Sequence, residues 1–254
     1  MLIDTHCHLY LPEFKDDLIE TLNRAENAGV QKFCLPAIDR SESTSLLDLE
    51  QQYPGKFFAM AGLHPCSVKE NNEEELDYIK ESIDKRSFVA IGEIGLDFYW
   101  DTTFSTNQYE AFEMQMNWAL EKNLPIVIHT RKAMKETIDS VKPFADKGLK
   151  GIFHCFGGTF EEAEQIIGMN FLLGIGGVVT YKNAGLAEVV AQIDMKNIVL
   201  ETDSPYLAPV PYRGKRNESA YLRLIAEKIA LVKGIDFEEV AAITSGNAEK
   251  IFNI

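Results

Sequence analysis

The chain has no apolar run long enough to span a bilayer, no paired cysteines and no surplus of positive charge. The first absence excludes a helical membrane span. Met1-Leu2-Ile3 runs straight into Asp4-Thr5-His6, which leaves no room for a secretory leader, so a cytoplasmic protein without membrane association is expected. The four cysteines, Cys7, Cys34, Cys66 and Cys155, stand singly, with neither a C-x-x-C pair nor disulfide-like spacing. That usage suits a reducing compartment, where a lone cysteine serves as a small buried hydrophobe. A net charge of −14 argues against an extended basic groove for a long polyanion. Any nucleic acid must be held locally, through metals and a few cations. Internal repeats, low-complexity stretches and Pro/Ser-rich linkers are also missing, so residues 1–254 are expected to form one domain.

What is present is a regular alternation. Short apolar runs occur at 2–5, 32–38, 57–63, 88–94, 125–130, 151–156, 171–176 and 197–202, bounded by Gly, Pro, Asn or Asp. Strands of a parallel sheet covered on both faces have this character. Helical spacing fills the gaps. Leu18, Leu22 and Ala25 share a face that ends at Gly29, and Tyr109, Phe112, Met116, Ala119 and Leu120 form a second stripe. Thr159 with Glu162 reads as a capping box. Further helices are expected at 41–53, 73–85, 132–146, 184–193, 220–233 and 237–251. Eight strand–helix units suit a closed (β/α)₈ TIM barrel or an open doubly wound sheet, and 254 residues is close to the usual barrel length.

The polar residues favour the barrel. The five histidines, His6, His8, His64, His129 and His154, each fall at or just past the end of an apolar run, as do Glu93 and Asp203. A barrel gathers such ends into one ring, whereas an open sheet spreads them along a line. His6-x-His8 places two imidazoles on one face of an extended segment with Cys7 turned away, an arrangement suited to a transition metal. Glu93 interrupts an apolar strand, where a carboxylate is costly unless paired with a cation such as Arg131 or bound to metal. Asp203 is either a ligand or the cap of a turn before Pro205. Glu201, two residues earlier, faces inward one layer deeper and is expected to support a ligand. His6, His8, Glu93, His129, His154 and Asp203 are thus the candidate metal ligands. His64, before Pro65, is read as a substrate-phosphate contact.

The runs Asp4-Thr5-His6-Cys7-His8-Leu9, Gly62-Leu63-His64-Pro65, Gly92-Glu93-Ile94-Gly95-Leu96-Asp97, Ile128-His129-Thr130-Arg131, His154-Cys155-Phe156 and Glu201-Thr202-Asp203-Ser204-Pro205-Tyr206-Leu207 resemble the TatD family of metal-dependent deoxyribonucleases, in family order along the chain. His-x-His alone would indicate only the wider amidohydrolase superfamily. The resemblance implies a TIM barrel with two divalent ions, Mg²⁺, Mn²⁺ or Zn²⁺. His6, His8 and Asp203 would hold the first ion and His129 and His154 the second, with Glu93 bridging. It also implies phosphodiester hydrolysis of DNA, with RNA as the other candidate substrate, often from the 3′ end; no obligate protein partner is inferred. The run Arg213-Gly214-Lys215-Arg216-Asn217-Glu218-Ser219 departs from the family's pattern only in Ser219, where proline is usual.

Glu93 and Asp203 are the expected catalytic groups, Asp203 as proton acceptor. Arg131, Arg213, Lys215 and Arg216 join His64 as candidate substrate-binding residues. Two other classes compete. A small-molecule amidohydrolase acting on a C–N or ester bond would share His-x-His, although dinuclear members often use a carboxylated lysine where this chain offers Glu93. A catalytically silent binding barrel would be expected to lack a ligand, and all six are present.

Overall fold

In a computed structural model describing all 254 residues, the eight apolar runs become eight strands. They are β1 (Leu2–Asp4), β2 (Val30–Leu35), β3 (Phe57–Ala59), β4 (Ile91–Asp97), β5 (Ile126–Arg131), β6 (Gly151–Phe153), β7 (Leu172–Ile175) and β8 (Ile198–Leu200). The helices are α1 (Leu18–Asn27), α2 (Ser43–Gln52), α3 (Asn72–Lys85), α4 (Ser105–Lys122), α5 (Met134–Ala145), α6 (Phe160–Gly168), α7 (Leu186–Gln192), α8 (Leu222–Lys233) and α9 (Phe237–Phe252). Parallel ladders join β1 to β3 and β4 to β8 in sequence order. Parallel bridges at Cys7–Ser204 and Ala61–Ile91 close the remaining seams. Across them the Thr5 amide donates to the Leu200 carbonyl at 3.0 Å and the Gly92 amide to the Ala61 carbonyl at 2.8 Å. With both seams closed the sheet is a TIM barrel, and the open doubly wound alternative falls.

Local signals explain the helix ends. Gly29, with φ of +93°, follows α1 in the left-handed region where a side chain would be strained. Thr159 and Glu162 form both hydrogen bonds of the expected capping box. The α4 stripe differs in one member, because Tyr109 lies at its edge, 39% exposed. Gln108 and Gln115 are buried on that helix instead. Their side-chain oxygens accept the Asp97 amide at 2.9 Å and the Leu63 amide at 2.7 Å, satisfying strand ends that the sheet leaves unpaired. After the β8 loop, a short 3-10 turn over Ser219–Tyr221 precedes α8.

The barrel interior is filled below the site. Ile3, Cys34, Met60, Ala90, Val127, Ile152 and Val199 form one apolar layer with Ala248, Ile251 and Phe252 of α9. Ser245 donates to the Met1 carbonyl and Asn247 to that of Ile198, so α9 seals the end where strands begin. The opposite mouth is left for polar groups. Val127, Ile152 and Val199 stand two residues before His129, His154 and Glu201, and the alternation of a strand carries each of these polar side chains inward, one layer above.

Candidate metal centre at the barrel mouth

The structure brings all six candidate ligands together, with His64 and Glu201 beside them. Glu93 is the hub. It is the extra residue at a register shift between Gly92 and Ile94, a bulge that aims its side chain into the barrel. Glu93 Oε2 lies 3.1 Å from His6 Nε2 and 3.8 Å from His8 Nε2. Glu93 Oε1 lies 2.8 Å from His129 Nδ1, 3.4 Å from His64 Nε2 and 3.5 Å from His154 Nε2. Asp203 Oδ1 completes the His6–His8 side at 3.7 and 3.6 Å. Arg131, the alternative partner for Glu93, is exposed and stacks over Tyr99 instead.

Strand lengths depart from expectation. β1 stops at Asp4, and His6-Cys7-His8 continues as an extended segment held by the Cys7 amide on the Cys34 carbonyl and the His8 amide on the Ser204 carbonyl. β4 and β5 run on together to Asp97 and Arg131, which leaves Glu93 and His129 inside strands rather than at their ends. Gly95 permits this. Its φ is +146°, and a Cβ there would come within 2.0 Å of the His129 carbonyl oxygen.

Groups on the far side of His8, His129 and His154 bear on which nitrogen faces inward. The Tyr10 hydroxyl donates to the Pro36 carbonyl at 2.6 Å, so it must accept from His8 Nδ1, 2.8 Å away. The lone pair of His8 Nε2 is thereby turned toward the site. Asp97 Oδ2 accepts from His129 Nε2 at 2.9 Å, leaving Nδ1 toward Glu93. Glu201 Oε1 lies 3.0 Å from His154 Nδ1 and accepts the Cys155 amide at 2.5 Å. Gly174 leaves room for that carboxylate, because a Cβ would stand 2.2 Å from Glu201 Oε2. Glu201 has the supporting position its spacing predicts. Asp97 and Tyr10 were missed. Asp97 carried a signal, an acid closing an apolar run, whereas Tyr10 carried none.

The donor set fits a cation. His6 and His8 Nε2 are 3.3 Å apart, and buried His6 Nδ1 has no partner. Without an ion these lone pairs and carboxylate oxygens must be reconciled by protons. Burial alone would discharge the groups, yet Glu201 and Glu93 outweigh it and push His154 up to about 10. His129 is raised by Asp97 and Glu93 against the same penalty. Glu93 resists burial in turn and is held well below the usual carboxylate range by His64, His6, His154 and His129. The pocket therefore favours concentrated positive charge, which a divalent ion supplies in place of protons. Groups able to share one ion include His6/His8/Asp203, His6/Glu93/His154 and His64/Glu93/His129.

Asp203 takes a left-handed backbone, φ +56°, and its carbonyl rather than its carboxylate accepts the Tyr206 amide at 2.8 Å. The turn before Pro205 thus leaves the acid free for the site. Cys7 points away from the imidazoles into the packing around the barrel, its Sγ 3.7 Å from the Cys34 carbonyl. Cys7→Ala is expected to lower stability by ~1–2 kcal/mol, as for a small core truncation, and to leave metal content unchanged. Denaturant melts and elemental analysis check both halves; loss of a metal from the folded variant would reverse the facing.

The β8 loop is pinned by Asn217 Nδ2, which donates to the Thr202 carbonyl at 2.7 Å and the Tyr206 carbonyl at 2.6 Å. Arg213 and Lys215 are exposed, with no carboxylate within 4 Å. Arg216 requires a correction. Its guanidinium is paired with both oxygens of Asp17 at 2.8 and 2.6 Å and donates to the Glu13 carbonyl, holding Asp17 at about 2. It is a loop anchor, not an open phosphate contact.

A closed barrel with imidazoles and carboxylates converging on its C-terminal mouth has the form of a metal-dependent barrel hydrolase. The particular family follows from comparison: a model of the TatD related DNase family matches residues 3–253, and the chain belongs to that family. It is 41% identical over the full length of both chains to YabD, a metal-dependent hydrolase of Bacillus subtilis (strain 168). It is 32% identical, again over the whole of both chains, to the 3′-5′ ssDNA/RNA exonuclease TatD of Erwinia tasmaniensis. Among solved structures, the TatD homologue YjjV of Escherichia coli superposes with a TM-score of 0.94 at 27% identity, covering 100% of this chain and 98% of that one.

Proposed function

We propose that the chain is a phosphodiesterase with two divalent ions, removing nucleotides from the 3′ end of single-stranded DNA or RNA. One observation carries the reading: the two oxygens of Glu93 divide the imidazoles between them, Oε2 lying nearest His6 and His8 and Oε1 nearest His129, His64 and His154, with His154 also stacked on His6 at 3.6 Å between ring centroids. On this reading His6, His8 and Asp203 would hold one ion and His129 and His154 the other, with Glu93 contributing to both. When bound, the ions supply Lewis acidity that polarises the phosphodiester and acidifies the attacking water.

The side chains do the rest. Asp203, with its side chain 15% exposed at the edge of the pocket, accepts the proton from the attacking water. His64 Nδ1 accepts the Cys66 amide at 3.0 Å, so in the neutral ring the proton sits on Nε2. In that tautomer the N–H, 3.2 Å from His129 Nδ1 and 3.4 Å from Glu93 Oε1, would serve as a donor for a phosphate oxygen; the other tautomer would let His64 share an ion with Glu93 and His129. Arg213 and Lys215 hold flanking phosphates without reading bases.

Metal-stripped protein, restored with Mg²⁺, Mn²⁺, Zn²⁺ or Co²⁺ in turn, should shorten 3′- and 5′-labelled single-stranded oligonucleotides from the 3′ end and spare duplexes. Turnover of esters or amides with no action on phosphodiesters would favour the small-molecule amidohydrolase. Inactivity with every metal would favour the silent barrel.

Lys215→Ala is expected to raise KM for oligonucleotides and to flatten the log-affinity against log-salt slope by about 1. A small phosphodiester, having no flanking phosphates, should turn over at the wild-type rate. Equal salt slopes for variant and wild type would make the loop ordinary solvated surface.

A further inference from the structure

The turn after β4 exposes aromatic surface beside the site. Trp100 is 68% exposed and Tyr99 46%, with ring centroids 4.8 Å apart and planes at 83°. Lone exposed aromatics are common, but this pair is fastened to the candidate metal centre. Asp97 Oδ1 accepts the Tyr99 amide at 2.9 Å and the Trp100 amide at 3.1 Å, while its Oδ2 accepts from His129 Nε2 at 2.9 Å. One buried carboxylate thus fixes both a candidate ligand and the aromatic turn.

The pair also carries positive charge. The Arg131 guanidinium lies 3.9 Å from the Tyr99 ring centroid and 5.1 Å from that of Trp100, and Lys132 Nζ lies 5.2 Å from the Tyr99 ring. Both cations are exposed and without a carboxylate within 4 Å, whereas the next acid in the chain, Asp101, is neutralised by Lys69 at 2.9 Å. In a chain of net charge −14, a free guanidinium against two exposed rings is distinctive. Stacking occupies only the face of Arg131. Its in-plane N–H donors stay open to a phosphate, and Tyr99, already covered, leaves Trp100 as the open ring.

We propose that Trp100 stacks on an unpaired nucleobase of the substrate strand while Arg131 grips the adjoining phosphate. This rests on the phosphodiesterase reading above and extends it to a base-stacking station. Every base offers a π-face, so the station accepts DNA and RNA with little sequence preference, and it excludes bases held in a duplex stack.

Binding in EDTA separates this from catalysis. Fluorescein-labelled dT and rU oligonucleotides, and an abasic DNA strand of equal length, are titrated by anisotropy against wild type and Trp100→Ala. The variant should keep the wild-type Tm, its side chain being exposed. Wild type is expected to bind dT and rU about tenfold more tightly than the abasic strand, with quenching of Trp100 emission; the other tryptophan, Trp118, is buried. Trp100→Ala should bind all three strands alike, and Trp100→Phe should recover most of the preference. A Trp100→Ala protein that still prefers strands with bases overturns the station while leaving the phosphodiesterase reading intact. If wild type neither binds any strand nor cleaves dT or rU once metal is restored, both readings fall together.

Discussion

Glu93→Gln is expected to lower the metal content from the proposed two ions per chain to one or none. Oligonucleotide hydrolysis should fall by roughly a thousandfold, the upper end of what losing one electrostatic contact costs in catalysis. The size follows from geometry. On the proposed assignment His6, His8 and Asp203 would hold one ion and His129 and His154 the other, and Glu93 is the group whose two oxygens reach toward both sets. Glutamine fills the same volume and can still hydrogen bond to His129, so circular dichroism should report an unchanged fold. It lacks the negative charge that balances the surrounding imidazoles, and its NH₂ group offers no lone pair to an ion. Elemental analysis after gel filtration, alongside turnover of a labelled oligonucleotide, checks both halves. Two tightly held ions with near-wild-type turnover would remove Glu93 from the bridging position.

The candidate ligands stood out in the sequence because each is expensive where it stands. Glu93, His129 and His154 interrupt apolar strands, and a polar group there must be paired or bound. His6-x-His8 and Glu201-x-Asp203 added a period of two, which fixes facing without a structure. Lateral partners were not legible, since they come from distant parts of the chain. Arg216 looked like free positive charge until Asp17, 199 residues away, was seen to neutralise it. Tyr10 reads as an ordinary apolar residue, and only the Pro36 carbonyl behind it shows that its hydroxyl orients His8. Strand limits failed for a related reason. The extension of β4 and β5 depends on Gly95 clearing the His129 carbonyl, a contact between neighbours that neither strand's own pattern records. The buried glutamines of α4 were invisible in the same way, because the amides they satisfy belong to Leu63 and Asp97.

Asp97→Asn should weaken binding of the ion on the His129 side by roughly 10–100-fold, the usual cost of altering a group that supports a metal ligand. Asp97 is 1% exposed and both its oxygens are used, Oδ1 on the Tyr99 and Trp100 amides and Oδ2 on His129 Nε2. An asparagine can satisfy only one of these duties. If its carbonyl stays with the turn, its NH₂ group meets His129 Nε2–H, and donor faces donor. The imidazole then shifts its proton to Nδ1, covering the lone pair that faces Glu93. If the amide flips, His129 keeps its tautomer, but the Tyr99 and Trp100 amides lose their acceptor and the aromatic turn is released. The second outcome leaves buried donors unpaired at about 1–3 kcal/mol and the first loses a charge-assisted hydrogen bond, so a drop in Tm decides nothing by itself. Metal titration does. The first outcome predicts one ion retained at stoichiometric metal, with activity recovering as metal is raised, because the defect lies in affinity. The second predicts two ions, a near-normal kcat on a small phosphodiester and a raised KM for oligonucleotides. Wild-type metal affinity together with wild-type oligonucleotide KM would show that Asp97 supports neither the ion nor the turn.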